Sequence, residues 1–130
     1  AIRQVRLQNG LFFIPHPSLT FFNKLRESSM RSLPIDGLEV FSAISPLANY
    51  YLSKNVAMAE RLGVSMTAGS DSHFPETVGD AYSIIETEDT SLPRILEALK
   101  LGKTEIVCRP SKLRFKVYPP VGGFRFGKEV

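Results

Sequence analysis

Three short apolar runs, each followed by a segment of helical character, constrain this chain more than any other feature. Leu11-Phe12-Phe13-Ile14, Leu38-Glu39-Val40-Phe41 and Val64-Ser65-Met66-Thr67 have the length and β-rich composition of strands buried on both faces. Ala1 to Asn9 reads as the end of a helix stopped by Gly10. Ser18 or Thr20 can open a helix to about Met30. Ser45-Pro46 pairs a capping serine with a proline at the first helical position, and the helix it opens aligns Ala48, Leu52, Val56 and Ala59 before stopping at Gly63. A fourth strand is expected over Ala81–Thr87, a helix from Thr90 or Ser91 to Gly102, and a fifth strand over Thr104–Val107. Strands alternating with helices indicate parallel βαβ units, hence an α/β barrel or sheet.

The chain has 130 residues, the size of one domain. Its 43% apolar and 22% charged residues belong to a globular protein and not to a disordered one. The apolar runs are too short to span a membrane, and the first residues do not read as a signal peptide. A single cysteine, Cys108, cannot close an internal disulfide, which points to a reducing, cytoplasmic setting. Residues 1–108 hold ten Lys/Arg against twelve Asp/Glu, whereas residues 109–130 hold six against one. The net charge of +3 therefore belongs to the tail. The chain divides at residue 107 into an α/β part and a basic, Pro/Gly-punctuated tail, 108–130, with one strand expected over Leu113–Tyr118.

Function in parallel α/β proteins gathers on loops that leave the C-terminal ends of the strands. Both histidines of the chain lie there: His16 after the first strand and His73, with Asp71, after the third. Glu39 lies in or at the end of the second strand. In extended backbone, Asp71 and His73 would point to the same side. Carboxylate and imidazole together suit Zn, Mn or Fe, whereas Mg favours an all-oxygen site. Ser70 and Ser72 could hydrogen-bond to the ligands or contact a phosphate. Plainer roles stand beside these: Asp71 as a turn cap, His73 as a solvated loop residue, His16 as a bend between two prolines, and Glu39 as a carboxylate satisfied by backbone amides. No nucleophile elbow, phosphate-binding glycine loop or cysteine cluster is present, and Cys108 reads as a buried or incidental thiol.

Three segments, in order, resemble motifs of the PHP family, the polymerase and histidinol phosphatase domains. Gly10-Leu11-Phe12-Phe13-Ile14-Pro15-His16-Pro17 is similar to its "A-H-P" segment, Asp36-Gly37-Leu38-Glu39-Val40 to its "D-G-I-E-V" strand, and Thr67-Ala68-Gly69-Ser70-Asp71-Ser72-His73 to its closing "G-S-D-x-H" motif. Val78-Gly79 is similar to the glycine-bearing segment that follows, so the resemblance runs from about Val5 to Val107.

The resemblance implies the C-terminal portion of an imperfect seven-stranded, TIM-like β/α barrel. It implies two or three divalent metals (Mn, Zn or Fe) in the complete barrel, with His16, Asp71 and His73 as ligands and Glu39 the least secure of the set. The implied reaction is hydrolysis of a phosphomonoester or nucleotide phosphoester, with a phosphorylated small molecule or nucleotide as substrate. The family's opening H-x-H motif has no counterpart among the two histidines of this chain. The expectation is therefore a fragment, inactive alone or nearly so, whose open sheet edges call for the missing N-terminal half or for self-association. An alternative is a non-catalytic PHP-derived domain that binds a protein or nucleic acid. Its means would be the tail, where Phe115, Tyr118, Phe124 and Phe126 lie among Arg114, Lys116, Arg125 and Lys128.

Overall fold

A computed structural model describes residues 1–18 and 26–112. The element order is α1 (Ile2–Leu7), β1 (Phe13–Ile14), α2 (Glu27–Arg31), β2 (Gly37–Ser42), α3 (Ala48–Leu62), β3 (Ser65–Gly69), β4 (Ala81–Ile85), α4 (Leu92–Lys100) and β5 (Thr104–Cys108). The expected strand Leu113–Tyr118 and the basic aromatic positions of the tail lie outside the described residues.

Strands β1, β2 and β3 form one parallel sheet in that order. β2 is its centre, with Leu38, Val40 and Phe41 at most 1% exposed. Burial at every position but the half-buried Glu39 explains why this strand reads as a mostly apolar run. One cluster packs Leu38 and Val40 with Ile14, Met30, Met58 and Ala59, and Leu52 and Val56 of α3 close over them. A second packs Phe41 with Ala43, Ala48, Ala68 and Ala81, and Leu52 and Ile106 touch both. Gly37 admits β1: a Cβ there would lie 2.0 Å from the Phe13 ring. The β2–β3 ladder slips by one residue between Glu39 and Phe41, so Val40 has no partner on β3. This is a β-bulge in the central strand.

The parallel expectation holds for β1–β3 and fails for the last two strands. β4 and β5 are antiparallel, with Ala81 opposite Cys108 and Ile85 opposite Thr104. A parallel return requires a crossover of a dozen or more residues, usually a helix. Between Gly69 and Ala81 there is only a 3-10 turn, Pro75–Thr77, so β4 starts without a crossover helix. The β4–β5 ribbon lies against the outer edge of β3 and satisfies it with side chains. Ser83 Oγ accepts from Ala68 N–H at 2.8 Å and donates to its carbonyl at 3.1 Å, and Thr104 Oγ1 donates to the Met66 carbonyl at 2.7 Å.

Two helix boundaries also differ from expectation. α3 begins at Ala48, because Ser42 to Leu47 forms turns in which Ser45 N–H bonds to the Ser42 carbonyl. Its end is as expected, with Gly63 left-handed at φ 66°. After α1 the left-handed residue is Asn9, at φ 55°, and Gly10 N–H reaches back to the Val5 carbonyl. Ser18 is buried in a turn, and the helix expected to open at Ser18 or Thr20 would start on residues 19–25, outside those described.

Candidate functional site

The parallel sheet delivers two loops to one end. β1 finishes at Ile14 and β3 at Gly69, so His16 and Asp71 each lie two residues beyond adjacent outer strands of β2. Both have left-handed backbone, φ 28° at His16 and φ 48° at Asp71. Such conformations are uncommon for non-glycine residues and persist where surrounding contacts hold them.

Glu39 stands between them. Its Oε2 accepts the backbone N–H of His16 at 3.0 Å. Its Oε1 lies against Gly69, where a Cβ would come within 2.5 Å. Burial pushes the Glu39 carboxyl above the ordinary glutamate range; the His16 ring and N–H pull it down, and the Asp71 carboxylate pushes it up again. Ser42, at the end of β2, donates to Asp71 Oδ2 at 3.3 Å. The structure thus brings His16, Glu39 and Asp71 together. Glu39 is within β2 and not at its end, and its long side chain spans to the loops.

His73 is placed differently. Because Asp71 is left-handed, the segment is not extended, and the side chains of residues 71 and 73 do not simply point the same way. The His73 ring is exposed, with Nδ1 2.8 Å from the Asp71 carbonyl oxygen. Ser72 donates to the Phe74 carbonyl at 2.7 Å and lies 2.7 Å from the hydroxyl of Thr77, which is fully buried. It therefore anchors the turn beneath His73. Ser70 is half-buried in the loop directly after β3.

Imidazole and carboxylate donors held on strained turns suit a divalent transition metal. The donor set is nevertheless only one side of such a site. Among the described residues no group of three or more His, Cys, Asp or Glu is disposed to hold a metal ion.

Sequence reasoning missed Asn55. This α3 residue is 3% exposed; its Nδ2 donates to the Val40 carbonyl at 3.1 Å, and its Oδ1 accepts the Ser18 hydroxyl. The available signal was a polar residue on the apolar face of α3, seven positions after Ala48 and four before Ala59. Ser111 was missed too. Its N–H bonds to the Ala43 carbonyl and its hydroxyl to Asp80 Oδ2, which brings the chain after β5 back beside the end of β2.

Residues 51–104 match a family model described as "PHP-associated". An uncharacterized protein of Methanocaldococcus jannaschii is 32% identical over 126 residues, an alignment that covers 87% of this chain and 52% of that relative. The chain thus spans about half the length of the curated relative it matches. No solved structure matches it. Among the described residues no helix is long and apolar enough to cross a membrane.

Proposed function

We propose, on the footing of the match of residues 51–104 to a PHP-associated family model, that the chain is part of a metal-dependent phosphoesterase. The observation that carries this reading is the convergence of His16 and Asp71, both left-handed, on the Glu39 carboxylate at one end of a parallel sheet. His16 and Asp71 are the proposed metal ligands, with Mn, Zn or Fe as the suited ions and His73 as a further ligand from the exposed side of the loop. A bound divalent ion would supply a more acidic water and neutralise charge on phosphoryl oxygens.

The chain's own residues would do the holding. Ser42 orients the Asp71 carboxylate through its hydroxyl. Ser72 and Thr77 fix the turn that presents His73. The substrate class is a phosphomonoester or nucleotide phosphoester. Three or four donors do not make up a two- or three-metal cluster, so the 130-residue chain alone is proposed to turn over little or nothing. Mn-dependent hydrolysis of p-nitrophenyl phosphate by the protein that carries this chain tests the reading. Turnover lost in both His16→Ala and Asp71→Ala supports it. Turnover unchanged in both variants would sink it.

A further inference from the structure

Resting on the reading of His16 as a ligand, we propose that Asn55 and Glu39 are positioning residues that clamp the His16 turn to the bulge of β2. His16 precedes Pro17, which pushes the residue before it toward extended backbone with negative φ, yet it adopts φ 28°. Something outside the turn must hold it.

Two anchors do so from consecutive residues of β2. Glu39 takes the His16 N–H directly. Val40 acts through α3: Asn55 donates to the Val40 carbonyl and accepts the Ser18 hydroxyl. The bulge leaves Val40 without a β3 partner, and Asn55 meets its carbonyl. Residues 16 and 18 are thus tied on both sides of Pro17. Ser18 and Asn55 are 7% and 3% exposed, so water does not compete for these bonds. A leucine at position 55 would fill similar space in an otherwise apolar helix face. The polar side chain is accounted for by the turn it holds.

The clamp assigns Glu39 a different task from ligation. Its Oε2 is committed to a backbone amide and its Oε1 is turned toward Gly69.

The test is amide hydrogen exchange and Mn titration, followed by NMR on the 15N-labelled chain. In Glu39→Ala and Asn55→Leu the His16 amide should exchange at least about tenfold faster, while the distant Val64 amide, bonded to the Ala59 carbonyl, stays unchanged. Glu39→Gln, which keeps an acceptor, should restore both the slow exchange and the broadening of His16 signals by Mn. Ser18→Ala is a milder variant that severs the same link should Asn55→Leu fail to fold. An unchanged His16 amide in Asn55→Leu or Ser18→Ala overturns the role of Asn55. Mn broadening lost in Glu39→Gln despite a protected His16 amide overturns the positioning role and makes Glu39 a ligand. A protected His16 amide with no Mn effect on His16 or Asp71 in the unmutated chain overturns the ligand reading, and with it the purpose assigned to the clamp.

Discussion

The Glu39 carboxylate occupies the space that a side chain at Gly69 would need, with Oε1 2.5 Å from the position of a Cβ there. Gly69→Ala should therefore displace Glu39 and destabilise the chain by about 1–2 kcal/mol. Urea unfolding measures the loss. In a Glu39→Ala background the same substitution should cost much less, because the obstructing group is gone. Equal costs in the two backgrounds would show that the contact is not the cause.

Stability should fall as pH rises through the region just above the ordinary glutamate value of 4.5. Burial raises the folded-state pKa of Glu39, so the folded chain holds this proton more tightly than the unfolded chain. The unfolded chain loses its proton first as pH rises, and the native state then carries the cost of burying the charge. The window opens at the unfolded value and closes at the raised folded one. Urea midpoints taken in EDTA across this range should decline in the parent and decline less in Glu39→Gln. Identical slopes would remove Glu39 as the source.

Ser83→Ala should cost about 1–3 kcal/mol, since it leaves both the N–H and the carbonyl of Ala68 without their partner. It also unseals the outer edge of β3, so light scattering should detect more association than in the parent. The expectation of open edges thus needs refinement: among the described residues, the β3 edge is covered by hydroxyls of the neighbouring ribbon.

The Cys108 thiol should alkylate slowly. Burial pushes it above the ordinary cysteine range and leaves it little thiolate at neutral pH. Iodoacetamide should label it more slowly in the folded chain than in urea. Equal rates would place Cys108 in solvent.

The parallel core was legible because its signals are local. Leu11 to Ile14, Leu38 to Phe41 and Val64 to Thr67 are apolar-rich runs of strand length, the central one the most buried and β1 and β3 keeping half-buried positions, and Gly63 supplies the left-handed stop of α3. The direction of β4 was not legible: Ala81 to Ile85 has the same composition whichever way it runs, and the decisive fact was the missing crossover helix before it. In the site, His16 and Asp71 were readable from residue type and position. The turns that aim them were not, because neither histidine nor aspartate announces a positive φ. Asn55 was passed over because one polar residue hardly alters an amphipathic pattern, although its hydrogen bonds join three elements of the site.

The slip at Val40 makes chain length, rather than residue type, the sensitive variable in β2. An apolar replacement at position 40 keeps the main-chain carbonyl that Asn55 grips. Deleting the residue would leave the segment as hydrophobic as before and let the ladder run without interruption. It would also remove the unpaired carbonyl that Asn55 grips, and with it the tie from β2 through Asn55 to Ser18. A more regular strand would thus be a worse one, because the irregularity is what lets one central strand serve both the core and the loops above it.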